Sequence, residues 1–250
     1  MSQHVYLIAG GDLRQLYLAR SLARDNKVYA ICFDEACELD KNMIPIDDLV
    51  QLREPVDYIV LPLPVSNNGI TVNTPLSKKL LSISEVLEKA GEKTIVFGGK
   101  IGQTLKDYCE RSQIELIDYF EREELAVLNA VPTAEGTLQL AMEELPTTLF
   151  GSNCLITGFG RISKVLVKLL TAMGANVTVA ARRFSDLAWG EIYGCRTVHM
   201  SELSKAVEDC DLVINTVPYK LFDYRVLSKL KDGCLVIDLA SKPGGADFEG

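Results

Sequence analysis

Six residues carry the clearest chemical signal in this sequence. Gly158-Phe159-Gly160-Arg161-Ile162-Ser163 has the spacing G-x-G-x-x-S, directly after the apolar run Cys154–Thr157 and directly before a helical pattern. In that setting the first glycine allows a tight turn, and the second lets backbone N–H groups approach a pyrophosphate at a helix N-terminus. Ser163 stands where glycine or alanine is usual and is still small enough for close helix–strand packing. The reading is a dinucleotide site over Gly158, Phe159, Gly160, Arg161 and Ile162; the alternative is a glycine turn that serves topology alone. The next strand pattern, Val177–Ala181, runs into Arg182 and Arg183, with Ser185 nearby. A site for NAD carries Asp or Glu there for the ribose 2′-OH. Two guanidiniums instead suit a 2′-phosphate, which selects NADP; otherwise they are solvated surface arginines. Thr216-Val217-Pro218 ends a later strand and would lie near the nicotinamide ribose.

An earlier turn is built differently. Gly10-Gly11-Asp12-Leu13-Arg14-Gln15 places Asp12 where the later motif has Gly160. A carboxylate there would repel a pyrophosphate, so this turn is not a second dinucleotide site. Gly11, Asp12 and Arg14 form either a substrate-carboxylate site, with backbone amides and a guanidinium as anchors, or a helix cap beside a solvated arginine. Ligands of open α/β sheets bind beyond the carboxyl ends of strands. Those ends also carry Ser66, Lys100, Ser241 and Lys242. Lys242 suits a carboxylate or a proton transfer, and it can equally be a loop lysine; Ser66 can equally be a turn residue. A small dicarboxylate needs two or more anchors, for which Arg14, Lys100, Arg122 and Lys242 are the basic candidates.

The elements that must position these groups alternate between strand and helix, which predicts an α/β protein with mostly parallel sheets. The first half reads as strands at 5–9, 28–33, 58–61, 94–97 and 114–117. Helices are expected at 13–23, after the Ser82-Ile83-Ser84-Glu85 capping box, and at 105–111. From 121 to 145 no strand occurs; the pattern predicts two helices interrupted at Pro132. The rhythm restarts with strands at 154–157, 177–181, 212–216 and 235–239. Helices are expected at 161–173, 201–209 and 224–231, the first carrying an apolar stripe and ending at Gly174. The same spacing separates Gly10 from Asp34 and Gly158 from Arg182, so both halves begin as mononucleotide-binding units. The expected organisation is a first domain over 1–132, a linking helix over 133–148 and a Rossmann domain over 149–250.

The chain has 250 residues, 48% hydrophobic and 24% charged, enough for one large domain or two modest ones and ordinary for a globular protein. A net charge of −8 without a Lys/Arg-rich run argues against a nucleic-acid surface. No apolar run is long enough to span a bilayer, and the N-terminus lacks the pattern of a secretory signal. The seven cysteines include no CxxC pair, which suits reduced, buried thiols in the cytoplasm. His4 and His199 lack partners at metal-ligand spacing, so no metal site is expected.

Five segments together resemble the dipicolinate synthase A-subunit family. They are Gly10-Gly11-Asp12-x-Arg14-Gln15, Leu61-Pro62-Leu63-Pro64-Val65-Ser66, Asn129–Gly136, Gly158-Phe159-Gly160-Arg161 and Ala240-Ser241-Lys242-Pro243-Gly244-Gly245. The resemblance spans nearly the whole chain and is most specific at Asn129–Gly136 and Ser241–Gly245. It implies NADP-dependent oxidation of dihydrodipicolinate to dipicolinate, acting on a CH–CH or ring C–N bond. It also implies a flavoprotein-like B-subunit of dipicolinate synthase, which would be the partner, and action in the mother-cell cytoplasm during sporulation. A homodimer is a further assembly to test. The architecture is similar to the formate and glycerate dehydrogenase group, in which a flavodoxin-like domain precedes a Rossmann domain and a long helix joins them. That group uses an Arg–Glu–His set. Lys242 stands near the place of the arginine and no histidine completes the set, which fits a different reaction. Alternatives are another NADP-dependent hydroxyacid or amino-acid dehydrogenase, or a non-catalytic NADP-binding sensor. The family continues with a strand and a closing helix beyond the fifth Rossmann strand, whereas this sequence stops at Gly250, so a truncated chain or an incomplete Rossmann domain is expected.

Overall fold

The computed structural model describes residues 3–34, 41–241 and 244–245. The chain divides into two compact units, Met1–Leu125 and Ala126–Gly250. The first unit contains β1 (Val5–Ala9), α1 (Leu13–Leu22), β2 (Lys27–Ile31), β3 (Met43–Ile46), β4 (Val56–Val60), α2 (Ile83–Leu87), β5 (Ala90–Gly98), α3 (Gln103–Arg111) and β6 (Glu115–Asp118). Its sheet has the order β3-β2-β1-β4-β5-β6, with all pairs parallel. Without the short edge strand β3 this is the flavodoxin-like order, whose switch point lies between β1 and β4. Successive residues of one strand enter opposite cores: Leu7 and Ala9 pack on one face, and Ile8 on the other. Both faces are therefore covered, which is why these strands read as continuous apolar runs.

The second unit contains β7 (Asn153–Thr157), α5 (Arg161–Ala172), β8 (Asn176–Ala181), α6 (Phe184–Ile192), β9 (Arg196–His199), α7 (Leu203–Ala206), β10 (Leu212–Asn215), α8 (Tyr224–Leu227) and β11 (Leu235–Asp238). Its parallel sheet has the order β11-β10-β7-β8-β9, a Rossmann arrangement with the switch point between β7 and β10. The long helix α4 (Glu123–Glu144) begins at the end of the first unit and lies mostly in the second. There Ala134, Leu138 and Ala141 join one core of the second sheet.

Several elements differ from the sequence expectation. The strand over 115–118 is the sixth, not the fifth, because β3 precedes β4. Pro45 disguises β3, yet a proline is tolerated on an edge strand. The helix expected over 201–209 is a 3₁₀ turn followed by the four-residue α7, and the helix expected over 224–231 is the four-residue α8.

Pro132 does not interrupt α4. Its ring is exposed, as is Leu128 one turn earlier, so water can reach the carbonyl that loses its partner. The Thr133 hydroxyl also donates to the Asn129 carbonyl at 3.2 Å. Proline in a helix interior costs about 3 kcal/mol, partly offset by its restriction of the unfolded chain. Pro132→Ala is expected to raise unfolding stability by about 2 kcal/mol. Urea denaturation at unchanged slope checks it, and no gain would mean that α4 is not strained there.

No helix among the described residues is long and apolar enough to cross a membrane. The six described cysteines are free thiols, and burial pushes Cys210 up to about 12 and Cys234 to about 11. Cys37 lies outside the described residues.

Candidate functional site

The glycine turn of the second unit has the geometry its spacing predicts. Gly158 follows β7 with φ +85°, and its N–H donates to the Ala180 carbonyl at 2.8 Å. A Cβ there would meet Thr216 Oγ1 and Val217 Cγ2 at 2.9 Å. Gly160 is the N-cap of α5; among the described residues no side chain caps that terminus, no acid stands in the first turn, and nothing lies within 4 Å of a Cβ built there. An open helix N-terminus beside an empty approach fits a pyrophosphate. Ser163 is fully buried; its hydroxyl lies 2.9 Å from Thr216 Oγ1, which donates to the Thr157 carbonyl at 2.7 Å. The departure from glycine thus ties α5 to the loop after β10.

The neighbours named from sequence divide by role. Phe159 is buried edge-on against Tyr193, and Ile162 packs against the core, so both can offer a cofactor only backbone. Arg161 is exposed at the start of α5. Arg182 and Arg183 are exposed directly after β8, and neither makes an ion pair among the described residues. His199 lies behind them, with its Nε2 3.2 Å from the Arg182 carbonyl and its ring stacked on Phe184.

Beyond β10, Val217 is held by Asn215, which the sequence marks only by its place at a strand's carboxyl end. Asn215 is fully buried and contacts Thr157, Val217 and Asp238. The available signal is that Asn215 and Asp238 are polar ends of otherwise apolar strands. Ser241 is exposed; Lys242 and Pro243 lie outside the described residues.

In the first unit, Asp12 caps α1. Its carboxylate accepts from the Arg14 N–H at 2.9 Å and from Arg14 Nη2 at 2.8 Å, and Nη2 also donates to the Leu63 carbonyl at 2.9 Å. Arg14 is therefore pinned and not freely solvated. Gly11, at φ +103°, allows the Gln15 side chain to fold over it. Gln15 is buried and donates to Tyr119 Oη at 3.2 Å, and Tyr119 Oη donates to the Leu61 carbonyl at 3.0 Å. Burial pushes the Tyr119 phenol up to about 12, so it is neutral and can donate. Gln15 Oε1 is buried without a hydrogen-bond partner among the described residues. Gln15 closes the Gly10–Gln15 turn and Tyr119 follows the end of β6, but their contact crosses more than a hundred residues and cannot be read from spacing.

Lys100, at φ +56°, and Ser66 line one cavity of about 330 Å³ with Asn67, Thr104 and Gly102, the uncapped N-cap of α3. The Ser66 hydroxyl is engaged within its own loop, donating to Asn68 Oδ1 at 3.1 Å and accepting from the Gly69 N–H at 2.9 Å. Arg122 pairs with Glu124.

The Asp12 carboxyl lies below its ordinary range, first because of the Arg14 hydrogen bond. A depressed folded value means that the stabilisation is complete above the unfolded value of about 3.9 and is lost as pH falls through the folded one. Asp12→Ala is expected to cost about 1 kcal/mol at neutral pH as a lost cap. The difference from wild type should shrink in acid; chemical denaturation at pH 7 and pH 3 checks both, and a constant difference would contradict the assignment.

Comparison with known proteins follows the same division. The N-terminal domain of the dipicolinate synthase A-subunit matches residues 5–120, and the D-isomer specific 2-hydroxyacid dehydrogenase NAD binding domain matches residues 129–241. The second unit is thus a dehydrogenase-type domain for a nicotinamide dinucleotide. The dipicolinate synthase A-subunit of Bacillus subtilis (strain 168) is 31% identical over 253 residues, covering 97% of this chain and 82% of that protein. The crystal structure of the Bacillus halodurans counterpart aligns with a TM-score of 0.86 at 31% identity, over 98% of this chain and 84% of that one. The Bacillus subtilis crystal structure aligns at 0.84 and 30%, over 100% and 84%. The Sinorhizobium meliloti transhydrogenase, at 0.63 and 14% over 99% and 82%, shares the fold alone. With two-domain architecture, glycine turn and near-complete alignment in agreement, the chain belongs to the dipicolinate synthase A-subunit family.

Proposed function

We propose that this protein oxidises dihydrodipicolinate to dipicolinate with NADP, in a dipicolinate synthase that also has a flavoprotein-like B-subunit, in the mother-cell cytoplasm during sporulation. Family membership supports the reaction class. The observation that carries the cofactor choice is the exposed Arg182–Arg183 step after β8, without an ion pair among the described residues. The functional division is a substrate domain over 1–132, a linking helix over 133–148 and an NADP-binding domain over 149–250.

The backbone from Gly158 to Ile162 would hold the pyrophosphate, Arg182 and Arg183 the 2′-phosphate, and Thr216, Val217 and Pro218 the nicotinamide ribose. The bound nucleotide supplies the hydride acceptor. Because the product ring is aromatic, hydride loss is favourable, and the protein's tasks reduce to alignment and proton removal. Lys242 and Ser241 are assigned to the reacting ring, Lys242 as carboxylate ligand or proton carrier. In the first unit Gly11, Asp12, Arg14 and Lys100 are assigned to the substrate, with Ser66 beside Lys100 in the same cavity.

The test is a substrate panel with NADP⁺ and NAD⁺, with and without the B-subunit. Turnover of the ring dicarboxylate with NADP⁺ is expected. Turnover of open-chain hydroxy acids or amino acids instead would favour a different dehydrogenase. Tight NADPH binding with no turnover of any kind would favour a sensor.

A further inference from the structure

Three strands of the second sheet end in register on polar residues. Thr157 of β7 aligns with Asn215 of β10, and Asn215 aligns with Asp238 of β11. All other residues of β10 are apolar and buried. A buried amide at that point is costly unless every donor and acceptor is used.

Asn215 uses all of them. Its Oδ1 accepts from the Thr157 hydroxyl at 2.5 Å and from the Val217 N–H at 3.1 Å. Its Nδ2 donates to the Val217 carbonyl at 3.0 Å and to Asp238 Oδ1 at 2.8 Å. That saturates the side chain. It also clasps Val217 by both backbone groups, which no single-ended contact could do. Asp238 continues the arrangement on the next strand. Its Oδ1 accepts from the Ala240 N–H at 3.0 Å, and its Oδ2 accepts from the Gly245 N–H at 2.7 Å. One carboxylate thus holds both ends of the segment that carries Ser241. A Cβ on Gly245 would overlap Asn215 Nδ2, so the close approach requires glycine. The Gly245 carbonyl in turn accepts from the N–H groups of Leu221 and Phe222, both at 3.0 Å.

We propose that Asn215 and Asp238 are a positioning pair that fixes the Thr216–Pro218 loop relative to Ala240 and Gly245, and so sets the register between the cofactor's nicotinamide end and the reacting ring. The catalytic half of this statement rests on the function proposed above; the structural half does not. Of the nucleotide contacts proposed above, the pair holds the Thr216–Pro218 loop alone, so it acts mainly on alignment and less on nucleotide affinity.

The experiment uses the full chain and three variants: Asn215→Asp, Asp238→Asn and the double exchange. Asn215→Asp keeps the shape, loses both donations and sets a carboxylate against Asp238. Asp238→Asn keeps the hold on Val217 and faces an N–H₂ toward the Gly245 N–H; it carries the test alone if Asn215→Asp does not fold. The exchange restores one hydrogen bond between the two positions with the direction reversed, while the Val217 carbonyl stays without its donor.

Amide hydrogen exchange at Gly245 in the nucleotide-free protein is expected to rise about tenfold or more in each single variant and to recover in part in the exchange. NADPH affinity should fall by less than about tenfold while kcat falls about 30-fold or more at little-changed substrate KM, the signature of misalignment. Unchanged exchange and kcat in folded single variants would overturn the proposal. So would a kcat that falls only in step with NADPH affinity. A wild type that binds NADPH but does not oxidise the ring dicarboxylate would overturn the proposed function, and the exchange measurement would still decide the pair.

Discussion

Replacing Arg182 and Arg183 together by alanine is expected to weaken NADPH binding by about ten- to a hundredfold and leave NADH binding nearly unchanged. A charge-assisted hydrogen bond contributes about 1.5–3 kcal/mol, and two would give more than a hundredfold. Both side chains are exposed after β8, so solvent screening lowers that figure. The selectivity is the informative quantity. Loss of a structural contact would weaken both nucleotides, whereas loss of a 2′-phosphate contact weakens only one. Arg→Lys at both positions should keep part of the preference, because an ammonium retains the charge and loses the bidentate fork. Titration following nicotinamide fluorescence compares wild type with both double variants, with salt raised in parallel to confirm the electrostatic origin.

The second large effect separates two glycines of one motif. Gly158→Ala places a methyl at φ +85° and 2.9 Å from Thr216 Oγ1 and Val217 Cγ2. Backbone strain and the clash together should cost about 1–3 kcal/mol of stability, and nucleotide binding should fall by about a hundredfold as the turn shifts. Gly160→Ala meets nothing within 4 Å among the described residues and has φ −82°. The protein should therefore fold with stability within about 0.5 kcal/mol of wild type. Its methyl instead stands where a pyrophosphate would approach, so only affinity should fall, by about tenfold or more. Thermal unfolding without nucleotide, paired with NADPH titration, reads both. Unchanged NADPH affinity in a folded Gly160→Ala variant would show that the open space over Gly160 has no connection with a ligand.

What the sequence discloses follows from how local each signal is. The stripe of α5 and its end at Gly174 are legible because periodicity and a left-handed glycine, at φ +80°, are properties of consecutive residues. Helix α6 gives no such sign, because it buries only Gly190 and leaves Phe184, Trp189 and Ile192 exposed, so no one-sided apolar pattern exists. Continuity of α4 through Pro132 depends on solvent reaching a freed carbonyl, which the local rule for proline does not include. Of the site, the glycine turn and the arginine step are readable from spacing. The Asn215–Asp238 pair is not, since it exists only when β10 and β11 lie side by side. The same holds for Gln15 and Tyr119, whose contact crosses the first sheet's carboxyl edge.

The measurement that tests the central claim most directly is an anaerobic incubation of the purified protein with dihydrodipicolinate and NADP⁺, repeated with the B-subunit present. Dipicolinate and NADPH are quantified together against a protein-free control, because the ring can also lose hydrogen to oxygen. The account predicts both products in equal amounts, far above the control, with NAD⁺ a poor substitute. Dipicolinate at the control rate, or dipicolinate without matching NADPH in both assemblies, would contradict it.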